Sequence, residues 1–388
     1  MAEPEFMGYR RADGTVGVRN HVVVMNSVAE AATIVQRIAD AAAGVVPVVH
    51  HHGYAQFPED REQTLRTLAG NAANPNVAAA LFVGLGGEQE TALELAERVR
   101  ARGRTAHALI LEEAPSVAAF VEEAAAWLRR QLAEAESIPR MPAKVSELIV
   151  GLECGGSDAW SGVTANPALG VASDIIVGYG GTVILSETTE AIGAEHILAA
   201  RAISPQVAKA FLDIIAAYEN RMLATGTDIR SANPSPGNVK GGLTTLDEKS
   251  LGCIKKGGST PLMEVVRYAD RPKERGLVFM DTPGYDVDSV TGMTAGGAQI
   301  VVFTTGRGSP TGSPIAPVIK VSTNSRIYRR MPQHIDVDAG VILEGKGTLE
   351  SVGREIFDQV LAVANGKPAA AELFGHKEFS IWRLAETI

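Results

Sequence analysis

The stretch HVVVMN at residues 21–26 begins a run of four apolar segments that decides the fold of the N-terminal half. It is followed by VVPVVH at 45–50, VAAALFVGL at 77–85 and AHALIL at 106–111, which alternate with amphipathic segments at 27–43, 59–73, 88–102 and 114–135. Buried parallel strands carry apolar residues in succession because helices cover both faces of their sheet. Helical crossovers return the chain to that sheet. The alternation predicts a Rossmann-like α/β domain over residues 7–135.

A second, larger α/β domain is predicted over residues 145–388. The polar, proline-flanked stretch EAESIPRMPAK at 134–144 breaks the first alternation, so we expect a linker at 136–144. Further on, apolar segments predict strands, and amphipathic segments predict helices. The strands are expected at 147–152, 182–186, 277–281, 299–304 and 316–322, and helices at 203–224 and 349–365.

Two segments of the chain lack such periodicity. Residues 225–259 are irregular and rich in glycine, and an irregular segment of this length inside a compact domain usually has a function. We therefore expect a long Gly-rich loop that binds a ligand. The opening residues MAEPEF, at 1–6, are interpreted as an expression-vector remnant that has no part in the function.

The composition indicates a globular enzyme that binds neither nucleic acid nor membranes. The chain has 388 residues, of which 45% are hydrophobic and 21% charged, and its net charge is -9 without a run of Lys and Arg. A phosphate backbone or an anionic membrane surface would require such a run. No apolar segment reaches the roughly 20 residues that span a bilayer. With only two cysteines, we expect a protein of the reducing cytoplasm.

The segment GLECGGSDAWSG at 151–162 follows a predicted strand and is the first candidate for chemistry. Ligands of open α/β sheets bind at the carboxyl ends of strands. Cys154 offers a thiolate ligand or nucleophile, and Glu153 and Asp158 offer carboxylates. The paired glycines let backbone N–H groups approach an anion. The alternative is a buried free cysteine in a tight turn.

A second candidate is TVILSETTEAIGAEH at 182–196, where Glu187 and Glu190 follow the next predicted strand. The two carboxylates could share a metal ion or divide the roles of acid and base. They could equally cap a helix, because Ser186 or Thr188 with Glu190 resembles a capping box.

Three histidines at 50–52 follow the strand VVPVV of the first domain. An imidazole at a strand end suits a divalent transition metal or a proton transfer, and His50 is our choice among the three. A solvated loop is the alternative interpretation.

The remaining candidates would bind anions or transfer protons. Within 234–261, repeated glycines together with Asn238, Lys240, Lys249, Lys255 and Lys256 predict a surface for carboxylates, although these charges could simply be solvated. The turn after VVFTT at 301–305 carries Arg307, which suits a bidentate carboxylate contact but could be a plain connection. His334 precedes Asp336 and could act as an acid or base. GLGGEQE at 84–90 lacks the spacing of a dinucleotide loop.

Together these segments resemble the altronate dehydratase family, which also includes galactarate dehydratase and the large subunit of sulfolactate sulfo-lyase. The resemblance rests on GYRRADGTVGVRN (8–20), ECGGSDAWSGVTANPALG (153–170), SETTE (186–190), GNVKGGLTTLDEKSLGCIKKGG (237–258), FTTGRGSPTG (303–312) and PQHIDVDAG (332–340). It implies that a leaving group β to a carboxylate is removed to give an enol, which becomes a 2-keto acid. It also implies a divalent metal, foremost Fe2+, with Mn2+ or Mg2+ as alternatives.

On this resemblance we expect a hydro-lyase that converts an altronate- or galactarate-like sugar acid to a 2-keto-3-deoxy acid. The alternatives are the sulfo-lyase reaction, which releases sulfite and pyruvate from sulfolactate, and a noncatalytic scaffold subunit. We assign the metal to His50, Cys154 and Glu187, and proton transfer to Lys249, His334 and Glu190. The residues expected to bind substrate are Arg19, Asn20, Asp158, Asn238, Lys240, Thr305, Arg307 and Asn324.

The sequence also differs from particular branches of the family. Tyr54 stands where the sugar-acid dehydratases often have a cysteine, and GKPAAAELFGHKEF at 366–379 is closer to the sulfo-lyase branch. Cys253 and the TTGRG form fit the sugar-acid dehydratases better. No small SAF-type domain precedes the GYRR motif, so we expect a separate SAF-domain subunit, together with a homo-oligomer of this chain.

Overall fold

The computed structural model describes residues 3–387, so Met1, Ala2 and Ile388 lie outside it. The strands are β1 (Glu5–Arg10), β2 (Val16–Gly17), β3 (His21–Asn26), β4 (Val46–Val48), β5 (Val77–Gly84), β6 (Thr105–Ile110), β7 (Met141–Lys144), β8 (Ile149–Cys154), β9 (Thr182–Leu185), β10 (Leu262–Val266), β11 (Gly276–Met280), β12 (Ile300–Thr305), β13 (Val318–Ser322) and β14 (Val337–Asp338).

The α-helices complete the element list. They are α1 (Ala32–Ala41), α2 (Pro58–Ala72), α3 (Ala92–Arg100), α4 (Val117–Ser137), α5 (Ala165–Gly178), α6 (Glu195–Ala200), α7 (Pro205–Ala224), α8 (Ile229–Ala232), α9 (Pro236–Lys240), α10 (Leu246–Cys253), α11 (Asp286–Ala295), α12 (Ser325–Arg330), α13 (Leu349–Ala364) and α14 (Ala370–Leu373). The α/β class with parallel sheets is confirmed.

The N-terminal sheet has four parallel strands in the order β4-β3-β5-β6. Alternate residues of β3 point to opposite faces of the sheet. Val23 packs in one core with Leu68 of α2, and Val24 packs in another with Ile38 of α1. Because both faces are covered, the strands can be apolar throughout, which is the pattern seen in the sequence.

The larger sheet has seven parallel strands in the order β10-β11-β9-β8-β12-β13-β14. α5 and α13 pack on one face through residues such as Leu169 and Phe357, and α11 packs on the other through Met293. The chain leaves β8 toward β9 on one side and later adds β12 on the other side. The order of strands therefore reverses at β8, and ligands of such sheets bind beyond the carboxyl ends of the strands at this point.

Two segments outside these sheets are ordered in ways that the sequence pattern did not indicate. Residues 141–144 of the expected linker form β7, which pairs antiparallel with β1. Glu5 and Phe6, from the segment interpreted as a vector remnant, begin β1. The Phe6 side chain is 1% exposed and packs in the core that covers one face of the larger sheet. The described part of this segment therefore contributes to the fold.

The long Gly-rich loop expected over residues 225–259 is instead a series of short helices, α8, α9 and α10, followed by a 3-10 turn at Ile254–Gly257. Each helix begins at a side-chain cap. Asp228, Ser235 and Thr245 accept hydrogen bonds from the backbone N–H groups of Arg230, Asn238 and Glu248. Such caps satisfy the free donors of a helix start, and they explain why a glycine-rich segment is helical here.

No helix within residues 3–387 is both long enough and apolar enough to cross a lipid bilayer.

Candidate active site

A cavity of about 400 Å³ lies at the carboxyl ends of β8 and β9, where the strand order reverses. Cys154 and Glu190 form part of its wall, and Lys249, Asp286 and Arg307 surround them. The cavity therefore combines carboxyl, thiol and cationic groups at the position where α/β sheets bind ligands.

Four buried side chains with metal-binding atoms converge beside this cavity. One ligand atom from each of Cys154, Glu187, Glu190 and Cys253 lies within 4.8 Å of the others. The Cys154 Sγ is 3.9 Å from the Cys253 Sγ and 3.4 Å from Glu190 Oε2, and the Cys253 Sγ is 3.8 Å from Glu187 Oε2. A tetrahedral ion places two sulfurs about 3.8 Å apart and a sulfur and an oxygen about 3.6 Å apart. These four residues fit a metal ion of that kind.

The backbone of Glu187 is held in a strained conformation. Its φ of 68° and ψ of 67° lie in the left-handed region, which costs a residue with a side chain roughly 1–2 kcal/mol. Its N–H donates to Thr282 Oγ1 at 2.7 Å, and its Oε2 accepts from the backbone N–H of Cys154 at 3.1 Å. These contacts stabilise the turn that directs the carboxylate toward Cys154. Such strain is found most often at functional sites.

Two lysines neutralise the two carboxylates. Lys256 pairs with Glu187, and both side chains are fully buried, whereas Lys249 pairs with Glu190 at the cavity wall. Burial opposes ionisation of Glu190, but the ammonium groups of Lys249 and Lys256 outweigh it and lower the pKa of this carboxyl. The hydrogen bond with Cys253, and then burial, raise the pKa of the Cys154 thiol. Despite its hydrogen bond with Cys154, burial raises the pKa of the Cys253 thiol as well. Both thiols therefore favour the protonated form, and each carboxyl group faces one ammonium group.

Glu153 lies behind the cluster and has a different role from that suggested by its sequence position. It is fully buried, and its Oε2 accepts a hydrogen bond from Ser289 Oγ at 2.5 Å. Burial and the neighbouring Glu187 carboxylate raise the pKa of Glu153 well above its ordinary value. A neutral Glu153 adds no further charge to the site.

Five of the residues expected to bind substrate lie at the cavity or in the loops around it. Asn238 and Arg307 line the cavity. Asp158 accepts hydrogen bonds from Thr323 Oγ1 at 2.9 Å and from Asn324 Nδ2 at 3.1 Å. Thr305 Oγ1 accepts the backbone N–H groups of two residues in its own turn, at 308 and 309. Asp158, Thr305 and Asn324 thus hold the loops, and Asn238 and Arg307 face the ligand space.

The other three expected substrate residues are placed elsewhere. Arg19 forms a bidentate ion pair with Glu372 and donates to the carbonyl of Val363. Asn20 donates to the carbonyl of Ala135 at 2.7 Å, and Lys240 is exposed on the last turn of α9. None of the three lines the cavity.

His50 is also separate from the cluster, because it follows β4 of the other sheet. Its Nε2 donates to the Asn26 carbonyl at 2.6 Å, and its Nδ1 accepts from the His52 backbone N–H at 3.1 Å. Both ring nitrogens are therefore engaged. Burial lowers the pKa of His50 to about 3, so the ring is neutral at ordinary pH. The geometry indicates a structural role for it.

His334 is packed against the C-terminal segment and does not line the cavity. Its ring centroid lies 4.1 Å from that of Phe374 and 5.5 Å from that of His376. Its Nδ1 is buried without a hydrogen-bond partner among residues 3–387. His334 is therefore not part of the cavity wall.

The structure brings three further residues to the site: Cys253 and Asp286, which had no predicted role, and Lys256, which was expected only as part of a surface for carboxylates. Cys253 and Lys256 lie in the GCIKKGG part of the long segment, and the only other cysteine of the chain was already a candidate. Asp286 comes six residues after β11, in PGYDVD, so an acid beyond a strand end was the available signal.

Comparison with known proteins shows similarity along nearly the whole chain. A family model described as "D-galactarate/Altronate dehydratase, C-terminal" matches residues 145–387, and one described as "D-galactarate dehydratase/Altronate hydrolase, second domain" matches residues 8–136. The chain is 39% identical to galactarate dehydratase (L-threo-forming) of Escherichia coli, over 93% of its own length and 73% of that protein.

Two further relatives represent the other activities. Altronate dehydratase of Bacillus subtilis is 34% identical, over 99% of this chain and 78% of that protein. The (2R)-sulfolactate sulfo-lyase subunit beta of Chromohalobacter salexigens is 36% identical, over 98% of both chains.

Proposed function

Because the chain belongs to the D-galactarate/altronate dehydratase family, we propose that it is a metal-dependent hydro-lyase that acts on a sugar acid. The product would be a 2-keto-3-deoxy acid. The observation that carries this proposal is the cluster of two thiols and two carboxylates beside a cavity of about 400 Å³. The names of the relatives support a lyase reaction on a hydroxy acid. The cluster of thiols and carboxylates would hold the metal ion for this reaction.

Cys154, Glu187, Glu190 and Cys253 would hold the metal. When bound, the ion would act as a Lewis acid toward the substrate carboxylate and 2-hydroxyl and stabilise the charge that develops at C2. Thiolate ligands favour Fe2+ or another borderline transition metal over Mg2+. Release of two thiol protons would offset the charge of a divalent ion, since the two carboxylates already face two ammonium groups.

The chain's own side chains would hold the substrate and transfer its protons. Arg307 and Asn238 line the cavity on the side of the long helical segment, where a guanidinium can hold a carboxylate and an amide can hold a hydroxyl. Lys249 carries a proton at the cavity wall in its pair with Glu190. It is placed to donate that proton to the leaving hydroxyl, which must depart as water.

A second candidate reaction is supported by one comparison. The match to the sulfo-lyase subunit covers 98% of both chains, so sulfolactate is a candidate substrate. Removal of the C2 proton and loss of sulfite from C3 would give an enol that becomes pyruvate. The same cavity would serve both reactions, because each removes a group β to a carboxylate.

The same relative supports a proposal about partners, since its name describes it as a subunit. We propose that a separate small SAF-domain subunit associates with this chain and that the chain itself is oligomeric. We also propose a Rossmann-like character for the N-terminal domain, on the strength of its four parallel strands. A reducing cytoplasmic setting would keep both thiols free to bind metal.

Assays of the purified chain loaded anaerobically with Fe2+, Mn2+ or Mg2+ would test the proposal. Galactarate, altronate and sulfolactate would each be supplied, with and without the small subunit, and 2-keto acid and sulfite would be measured. We expect turnover with Fe2+ and loss of it in Cys154→Ser and Glu187→Gln. No product from any acid would reject the lyase proposal. Full turnover by both variants in an active complex would assign this chain a scaffold role.

A further inference from the structure

Asp286 is a carboxyl group of the cavity that the proposed metal site does not use. It begins α11 and lines the cavity together with Cys154 and Lys249. Its side chain lies against the backbone of Gly155, where a Cβ on residue 155 would overlap Asp286 Oδ2. Gly155 is thus small because the Asp286 carboxyl occupies the space next to the cluster.

The Asp286 carboxyl differs from the other acids of the cavity in being free. Glu190 is paired with Lys249, and Glu187 is paired with Lys256. Within residues 3–387, no side chain or backbone group forms a hydrogen bond or ion pair with the Asp286 carboxyl. Such a group can accept and return a proton without first breaking an internal contact.

The surroundings of Asp286 favour reversible protonation near neutral pH. The carboxyl is desolvated and faces three acids and two cations, namely Glu153, Glu187, Glu190, Lys249 and Lys320. Burial, followed by the charges of Glu187 and Glu190, raises the pKa of Asp286 to about 7. A general base is most effective when its pKa lies near the working pH.

We propose that Asp286 is the base that removes the C2 proton of the substrate and later returns a proton to C3. This inference rests on the proposed lyase function and names a proton-transfer residue for it. It also fills the place for which His334 was a candidate, since His334 lies outside the cavity wall.

Asp286 and Lys249, which both line the cavity, can carry out every proton transfer of the reaction. The Asp286 carboxylate takes the proton from C2, and the electron pair left at C2 then forms the C2–C3 double bond. The C3–O bond breaks, and the leaving hydroxyl takes a proton from the Lys249 ammonium to depart as water. Asp286 then protonates C3 of the enol while the neutral Lys249 amine takes the enol proton. The net change is loss of one water, and both side chains return to their starting states.

The test compares Asp286→Asn with Asp288→Asn. Asp288 lies in the same first turn of α11 and does not line the cavity, so it controls for loss of a carboxylate near the helix start. We expect Asp286→Asn to keep its metal content and lose about 10²–10⁴-fold in kcat. The rise of wild-type kcat with pH that reports ionisation of this carboxyl should disappear. In D2O, deuterium exchange at C2 of recovered substrate should stop in this variant alone.

A separate measurement follows the ionisation of Asp286 and does not depend on turnover. Carboxyl carbon NMR of the metal-free chain, with the Asp286 signal assigned by its absence in Asp286→Asn, should show titration near pH 7. A midpoint below pH 5, or unchanged C2 exchange in Asp286→Asn, would overturn the inference. Failure of the wild-type chain to act on any of the three acids would instead count against the proposed function, while the NMR midpoint would still decide about Asp286.

Discussion

The Sγ atoms of Cys154 and Cys253 lie 3.9 Å apart, although the two residues are 99 positions apart in the chain. Cys154 ends β8, and Cys253 ends α10. They meet because the short helices after α7 fold back over the carboxyl edge of the larger sheet. Because their sulfur atoms are this close, the two cysteines are candidate ligands of the same metal ion.

Replacing Cys253 with Ser should weaken metal binding by more than tenfold, since even loss of a group behind a ligand costs about 10–100-fold. Cobalt(II) gives a readout that does not need turnover, because each thiolate ligand contributes to an intense sulfur-to-metal absorption. We expect this absorption to fall in Cys253→Ser and Cys154→Ser and to vanish in the double variant. An unchanged spectrum in Cys253→Ser would exclude its sulfur from the site.

Replacing Lys249 with Met should separate the two candidate reactions. Hydroxide is a poor leaving group and needs a proton, whereas sulfite departs readily as an anion. If the chain eliminates water, kcat should fall about 10²–10⁴-fold in this variant. If it eliminates sulfite, the fall should be much smaller. Lys240→Met, an exposed lysine outside the cavity, should leave kcat unchanged. Equal kcat in Lys249→Met and wild type for water elimination would remove Lys249 as the acid.

Replacing Lys256 with Met should destabilise the metal-free protein by about 3–5 kcal/mol, because Glu187 would remain as a buried charge without its partner. The double variant Lys256→Met/Glu187→Gln should recover most of this loss. Urea unfolding in the presence of a chelator would measure both. Lys209→Met removes the exposed pair with Asp213 and should change little. Additive losses in the double variant would show that the pair is not coupled.

Acid should destabilise the protein partly through His50. Its pKa is about 3 in the folded chain and about 6.5 when unfolded, so the unfolded chain binds the extra proton between these values. The free energy of unfolding should therefore fall below pH 6.5, by at most about 1.4 kcal/mol per pH unit for this group, and be unaffected above it.

Replacing His50 with Gln should make this pH dependence shallower, while His51→Gln, at an exposed position, should not. Denaturant unfolding from pH 7 to 4 measures the slopes. Both variants should retain the metal content of the wild-type chain. Loss of metal in His50→Gln alone would restore His50 as a ligand.

Much of the fold followed from local patterns. The apolar segments at 21–26, 45–50, 77–85 and 106–111 overlap β3, β4, β5 and β6, because two-sided burial leaves a clear mark on a strand. Short helices were harder to foresee. α8, α9 and α10 have only four to eight residues, and their starts depend on single capping side chains within a glycine-rich segment.

Part of the candidate site was predicted from the sequence, and there is a physical reason why some of its residues were predicted and others were not. Cys154, Glu187 and Glu190 were singled out because residues after strands share the carboxyl edge of a parallel sheet, and Lys249 because it lies in a long glycine-rich segment. His50 also follows a strand, but that strand belongs to the four-stranded sheet. The sequence shows where a strand ends and does not show which sheet the strand joins. Asp286 had no distinctive neighbours in the sequence.

The sequence by itself determined the α/β class, the parallel strands and the family, because each depends on order and spacing along the chain. Only the tertiary structure decided which polar groups meet. It joined Cys253 and Lys256 to the carboxylates of Glu187 and Glu190 and set His334 apart. Proximity between distant residues depends on how sheets and helices pack, and the charge state of each buried group depends in turn on those neighbours.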